Sequence, residues 1–96
     1  MPKKQENTSN WTIEYTLSAL KELKKLPKDV RRRIYNKIDE SLLKNPYAGE
    51  PLEGRLEGFF KFRVGDYRVI YELKKERIVI LILRVAHRKD AYRFPL

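Results

Sequence analysis

The sequence predicts an α+β fold, in which a small twisted antiparallel β-sheet packs against an N-terminal helical hairpin in the order β-α-α-β-β-β. Apolar residues recur every three or four positions between residues 17 and 42, and every second position after residue 58. Proline and glycine stand where the spacing changes. A chain of 96 residues is expected to form one domain, residues 11–96, after a flexible tail over residues 1–10.

Two apolar stripes predict the helical hairpin. After a short strand over Trp11–Tyr15, leucines recur every third residue along one face of a helix over Leu17–Leu26. Pro27 ends this helix and suits the first turn of the next one. Apolar residues of the second helix recur at every fourth position: Val30, Ile34, Ile38 and Leu42. Pro46 is expected to end it, because the residue before a proline disfavours helical backbone.

Three strands are predicted after a loop over residues 47–58. Phe59–Val64 alternates in hydropathy, and Gly65–Asp66 has the composition of a two-residue hairpin turn. Tyr67–Leu73 is then the return strand. Arg77–Ala86 is apolar on both faces at its centre, which is typical of a strand inside a sheet.

The charge of the chain indicates a polyanionic partner. Lys and Arg number 22 against 13 Asp and Glu, which leaves a net charge of +9 at pH 7. Such an excess raises the self-repulsion of a small domain, and nucleic acid, the ribosome or an acidic protein would each offset it. A solvated, lysine-rich surface is the alternative interpretation.

Composition also excludes several classes of protein. The chain has no cysteine and one histidine, so neither a disulfide framework nor a metal site is expected, and we expect no cofactor. No apolar run reaches the roughly 18 residues of a membrane span, and residues 1–10 have no apolar core of a secretory signal. A cytoplasmic location without membrane contact is therefore expected.

The predicted hairpin brings three cations together. If Gly65 and Asp66 form the turn, Arg63 lies opposite Arg68, and Lys61 projects from the same face. Like charges directly opposed destabilise a sheet, so an anion is expected to neutralise them. Phosphate fits this role, because arginine binds its oxygens through two parallel hydrogen bonds and lysine adds a point charge.

More polar residues are expected to reach the rim of this face from the end of the last strand. They are Arg84, His87, Arg88 and Tyr92. His87 supplies an imidazole, which is suited to proton transfer near neutral pH, and Tyr92 could stack on a base. Three other cations are candidate RNA contacts: Lys89, Arg31 and Arg32. The run on the second helix also fits an ordinary solvated face.

Two segments resemble the RelE/ParE superfamily of toxin–antitoxin toxins, on the RelE side. They read PLEGRLEGFFKFRVGDYRVIYE and LRVAHRKDAY, and the resemblance extends from Trp11 to Tyr92. It implies the RelE-like fold and a ribosome-dependent mRNA endonuclease that cleaves codons in the ribosomal A site. In this reaction the ribose 2′-hydroxyl attacks its own phosphodiester without a metal and leaves a 2′,3′-cyclic phosphate. The partners implied are a RelB-like antitoxin, the ribosome and mRNA.

The resemblance also implies a set of catalytic residues. Its members are Lys61, Arg63, Arg68, His87, Arg88 and Tyr92. Arg68 and Arg63 would stabilise the phosphate, Arg88 would act as acid or further stabiliser, and Tyr92 would orient the base. Arg63 stands where the best-known relatives carry lysine, and arginine keeps its proton, so the general base would be Lys61 or His87.

Two other functions stay open at this point. ParE-like toxins share the fold and inhibit DNA gyrase without cleaving RNA, and they generally lack the full basic set. A non-catalytic RNA-binding module would use the same cationic face only to hold phosphate.

Overall fold

The computed structural model describes residues 10–90 and confirms the α+β class and the helical hairpin. Within that range the strands are β1 (Thr12–Tyr15), β2 (Glu50–Pro51), β3 (Phe59–Val64), β4 (Tyr67–Lys74) and β5 (Val79–His87). The helices are α1 (Leu17–Lys24) and α2 (Lys28–Lys37), and α2 continues into a π-helical turn, Ile38–Leu42. The sheet has the order β1-β5-β4-β3-β2. Most of the predicted N-terminal tail, and Tyr92, lie outside the described residues.

The sheet is mixed rather than wholly antiparallel. β1 runs parallel to β5, with Ile13 opposite Ile80, whereas the β3–β4 and β4–β5 pairings are antiparallel as predicted, and the unpredicted β2–β3 pairing is antiparallel too. No turn joins β1 to β5, so local sequence does not set their relative direction. The helical hairpin leads from β1 to β2, and the chain then reverses at each of the turns from β2 to β5, so that β5 runs in the direction of β3 and of β1.

The two helices pack on one face of the sheet and bury different fractions of their apolar stripes. Ile34, Ile38 and Leu42 are fully buried, which confirms the fourth-residue spacing of the second helix. In α1, however, the buried residues are Ala19 and Leu23. These are four apart, so the predicted three-residue leucine stripe is wrong, because it drifts around a helix of 3.6 residues per turn.

Thr16 attaches the start of α1 to the sheet. Its hydroxyl accepts a hydrogen bond from the backbone N–H of Ala19 (3.1 Å) and donates one to the carbonyl of Leu83 (2.9 Å). The same side chain therefore caps the helix and contacts the strand on which the helix packs.

Two irregular segments differ from the prediction. The loop over residues 47–58 contains β2 and a 3₁₀ turn, Gly54–Leu56. The sequence did not predict β2, because a two-residue strand is too short to show a hydropathy period. Ile78, predicted within the last strand, belongs instead to the turn before β5 and has a φ of 56°. The left-handed region is costly for a β-branched residue, so local preference does not place Ile78 there.

No helix in the described part of the chain is long and apolar enough to cross a membrane.

Candidate functional site

The β3–β4 hairpin has the predicted register. Arg63 lies opposite Arg68, Lys61 opposite Ile70, and Val64 opposite Tyr67. Because side chains alternate along a strand, Lys61, Arg63 and Arg68 share one face. The helices cover the other face, where Val64, Val69 and Tyr71 join the core.

A polar pocket of about 430 Å³ lies beside these cations, where β2 leaves β3. Its lining is Ala48, Gly49, Glu50, Lys61, Phe62, Arg63 and Arg68. The pocket therefore combines all three hairpin cations with the chain segment that precedes β2. It is open to solvent on the uncovered side of the sheet, and its size suits one phosphate group with part of its sugar.

Arg68 is half-buried and carries one nitrogen that is shielded from solvent. Its Nη1 atom is buried and has no hydrogen-bond partner among residues 10–90. Arg63, directly opposite, is exposed and donates from Nε to the carbonyl of Gly65 (3.3 Å). A buried donor without an acceptor is costly, and it lies next to a second guanidinium. An anion bound in the pocket would supply the acceptor and neutralise the pair.

Glu50 is a pocket residue that the sequence analysis missed. It lies opposite Lys61 in the β2–β3 pairing, and its Oε1 is 3.2 Å from Lys61 Nζ. The side chain of Glu50 is 75% exposed and that of Lys61 is 34% exposed. Glu50 precedes Pro51 in a loop without periodicity, so only the long-range pairing of β2 with β3 reveals its position.

Arg84 does not take part in this pocket. Its guanidinium contacts Glu22 of α1 through Nε (2.7 Å) and Nη2 (2.6 Å), and the other oxygen of Glu22 accepts the backbone N–H of Val85 (2.7 Å). Glu22 thus accepts a backbone N–H of β5 at a position that lies beyond the end of β1. This ion pair joins helix to sheet, and RNA contact by Arg84 stays a prediction from the sequence.

His87 does not reach the cationic face. It pairs with Tyr67, and the two rings meet edge to face at 5.7 Å on the side that the helices cover. The prediction that it lies on the rim of the same face is therefore wrong. Val85, two residues earlier on the same side, is part of the core, so alternation along β5 explains the direction of His87.

Arg88 and Lys89 follow β5 and are exposed. The backbone N–H of Arg88 donates to the carbonyl of Asp66 (2.8 Å), which holds it beside the hairpin turn. Ala86 lies opposite Arg68, and Arg88 follows the end of β5 two residues later, outside the lining of the pocket. Tyr92 lies outside the described residues.

Arg31 and Arg32 belong to the helical layer, and the sheet separates them from the pocket. Arg31 borders an apolar groove of about 590 Å³ between the helices. The lining of the groove is Leu17, Leu20, Lys21, Lys24, Arg31 and Tyr35. Leu17 is 75% exposed and Leu20 40% exposed. The leucines that do not join the core thus form a second surface, apolar at its floor and basic at its rim.

Sequence comparison identifies the family. Residues 13–92 match the family described as "ParE toxin of type II toxin-antitoxin system, parDE". The chain is also 36% identical over 84 residues to toxin RelG of Mycobacterium tuberculosis, covering 86% of this chain and 97% of RelG. The chain belongs to the RelE/ParE superfamily of type II toxins.

Two further relatives of this RelE/ParE toxin bear on its function. The mRNA interferase toxin RelE of Escherichia coli is 28% identical over 78 residues, covering 80% of this chain and 82% of that protein. The toxin–antitoxin complex RelBE2 of M. tuberculosis contains a similar structure, with a TM-score of 0.76 and 34% identity. That match covers 81% of this chain and 98% of the other. The RelE-like fold is thereby confirmed.

Proposed function

We propose that this toxin is a ribosome-dependent endoribonuclease that cleaves mRNA in the A site by attack of the ribose 2′-hydroxyl. The observation that carries the proposal is the buried, unpartnered Nη1 of Arg68 beside Arg63 and Lys61 in one pocket. The mRNA interferase named among its relatives supports the same activity. Because ribosomes are the site of action, the protein would act in the cytoplasm.

The arginines are proposed to stabilise the charge that develops on the phosphate. As the 2′-oxygen approaches phosphorus, negative charge builds on the non-bridging oxygens, and preorganised donors lower this barrier. Arg68 already lies desolvated in the pocket, and Arg63 faces it across the hairpin. Within residues 10–90, neither arginine is hydrogen-bonded to a carboxylate that it would have to release before it binds the phosphate.

Glu50 is proposed to accept the proton of the 2′-hydroxyl, in place of Lys61 or His87. A carboxylate is a proton acceptor at neutral pH, whereas a lysine ammonium is a donor. Lys61 Nζ lies 3.2 Å from this carboxylate, whereas His87 lies on the opposite face. The 2′-oxygen then forms its bond to phosphorus as the bond to the 5′-oxygen breaks.

The leaving 5′-oxygen needs a proton from the opposite side of the phosphate, because attack and departure are in line. Glu50, Lys61 and Arg68 follow one another across β2, β3 and β4, and Arg88 extends this row beyond β5. Arg88 is therefore proposed to protonate or stabilise the leaving oxygen. Base stacking by Tyr92 stays a prediction from the sequence, as does RNA contact by Lys89, Arg31 and Arg32.

Mapping of mRNA 5′ ends after incubation of the toxin with translating ribosomes tests the proposal. Discrete cuts at A-site codons are expected. Inhibition of DNA gyrase is the second candidate, since the matching family description names ParE. Gyrase-linked DNA breaks without mRNA cuts would favour that function. If neither mRNA cuts nor DNA breaks were found, only the non-catalytic RNA-binding module would remain.

Binding to ribosome-bound mRNA is expected to weaken steeply with salt. Three phosphate contacts from Lys61, Arg63 and Arg68 predict that log K falls with log salt at a slope of about −2 for single-stranded RNA. Arg68→Ala should reduce this slope by about 0.7. Fluorescence anisotropy across a salt series measures both values. A slope near zero would show that the cationic face does not contact phosphate.

We also propose that a RelB-like antitoxin binds the groove between α1 and α2. The RelBE2 structure of a relative is a toxin–antitoxin complex, and the groove has the character that an amphipathic helix requires. Leu17, Leu20 and Tyr35 supply apolar contacts, while Lys21, Lys24 and Arg31 attract acidic residues. The complete interface should bury well over ~1,000 Å², so the groove would be one part of it.

Leu17→Asp is expected to raise the Kd for the antitoxin about tenfold or more, because it places a charge in the apolar centre of the groove. Ser18→Asp is the matched control, since Ser18 is exposed on the same helix outside the groove lining. Calorimetry with the product of the neighbouring gene measures both. Equal affinities for the two variants would place the antitoxin elsewhere.

A further inference from the structure

Tyr71 is a buried core residue whose hydroxyl forms hydrogen bonds with the segment before β2. The ring is fully buried on the helix side of β4 and stacks on Phe60, with centroids 5.2 Å apart. Its hydroxyl donates to the carbonyl of Pro46 (2.7 Å) and accepts the backbone N–H of Gly49 (3.0 Å). One hydroxyl thus bridges both ends of residues 46–49.

The same segment packs directly on β3. A Cβ atom at Gly49 would lie 2.5 Å from the carbonyl of Lys61 and 2.7 Å from the hydroxyl of Tyr71. No side chain fits between these backbones, which explains glycine at this position. The next residue is Glu50, whose carboxylate meets Lys61 in the pocket.

Beside Tyr71, this wall of the pocket is held by an edge-to-face contact of Tyr47 with Phe60 (6.1 Å) and by a hydrogen bond from the backbone N–H of Leu52 to the carbonyl of Phe59 (2.8 Å). β2 has two residues, and Glu50 is largely exposed. An exposed ion pair contributes little to the position of either side chain. By contrast, burial raises the pKa of the Tyr71 hydroxyl, although the bond from Gly49 lowers it, so this donor stays protonated for Pro46.

We propose that Tyr71 is a positioning residue of this toxin, whose hydroxyl holds residues 46–50 against β3 so that Glu50 stays beside Lys61 in the pocket. This inference rests on the proposed function, because the role of Glu50 is taken from it. Tyr71 itself does not line the pocket and would not contact RNA there.

Tyr71→Phe tests the proposal, because it keeps the buried ring and removes only the bridging hydroxyl. We expect kcat for mRNA cleavage to fall about tenfold, with KM for the ribosome–mRNA complex nearly unchanged. Tyr15→Phe is the matched control: its partly buried ring lies on β1 against Tyr35, and its hydroxyl is remote from the pocket. It should cleave at the wild-type rate.

A double variant separates positioning from general structural damage. If Tyr71 acts through Glu50, Tyr71→Phe should cost little further activity in a Glu50→Gln background. Multiplicative losses in the double variant would overturn the proposal. So would wild-type activity of Tyr71→Phe, or an equal loss of activity in Tyr15→Phe.

Hydrogen exchange tests whether the Tyr71 hydroxyl holds residues 46–50, independently of mRNA cleavage. In Tyr71→Phe the amide of Gly49 should exchange at least about tenfold faster, while amides in the centre of β5 keep their protection. An unchanged exchange rate of the Gly49 amide would overturn the positioning role of Tyr71, even if the enzyme is active. If the wild-type protein cleaved no mRNA, the proposed function would fail, yet faster exchange at Gly49 would still support the positioning of residues 46–50 by Tyr71.

Discussion

Replacement of Arg68 by alanine is expected to lower the rate of mRNA cleavage by about 10²-fold or more while the fold stays intact. This is the usual loss when one preorganised donor to a developing oxyanion is removed. The buried Nη1 of Arg68 has no acceptor among residues 10–90, so the free protein loses no hydrogen bond there. Single-turnover cleavage on programmed ribosomes measures the effect.

The stability of the same variant should move in the opposite direction. Arg68 lies directly opposite Arg63, and removal of such a like-charge pair relieves roughly 0.2–1 kcal/mol. We therefore expect an unchanged or slightly higher free energy of unfolding in urea. Arg33→Ala is the matched control, because it removes the same charge from the exposed side of α2. An Arg68→Ala protein that unfolds more easily yet cleaves at the wild-type rate would contradict the proposed site.

Glu50→Gln should have an effect of similar size. Glutamine can still accept a hydrogen bond from Lys61, but it cannot take the proton of the 2′-hydroxyl. Loss of a general base typically lowers the rate about 10²–10⁴-fold. Single-turnover cleavage on programmed ribosomes measures this loss.

Glu72→Gln is the matched control for Glu50→Gln. Glu72 forms a similar ion pair with Lys74, with 3.3 Å between Oε2 and Nζ, but it lies outside the pocket lining. Both pairs are partly exposed and contribute at most about 1 kcal/mol, so neither variant should unfold. A wild-type cleavage rate for Glu50→Gln would exclude Glu50 as the general base. A much slower cleavage by Lys61→Ala with an unchanged free energy of unfolding would then return the general base to Lys61.

Local sequence was sufficient for the elements whose pattern repeats over several residues. Alternation in β3, a glycine at the hairpin turn and the fourth-residue stripe of α2 each restrict backbone geometry over a short range. The hairpin register followed, and with it the shared face of Lys61, Arg63 and Arg68. In such a hairpin the turn fixes which residues are opposed, so neighbouring residues contain the information.

Contacts between distant parts of the chain decided the rest of the site. β2 is two residues long, and only its pairing with β3 brings Glu50 to Lys61. The direction of His87 depends on the phase of β5 relative to the core, which a bulge near Ile70 and Tyr71 shifts in the β4–β5 pairing. Alternation within one strand does not say which of its faces the helices cover.

The sequence by itself therefore determined the fold class, the cationic hairpin face and the resemblance to RelE-like toxins. The tertiary structure alone decided that Arg84 pairs with Glu22, that Leu17 and Leu20 line a groove outside the core, and that the hydroxyl of Tyr71 bonds to the carbonyl of Pro46. The physical reason is the distance along the chain over which each kind of interaction acts. Hydropathy period and turn preference act between near neighbours, whereas an ion pair or a hydrogen bond across many residues forms only when packing has set the distance between its partners.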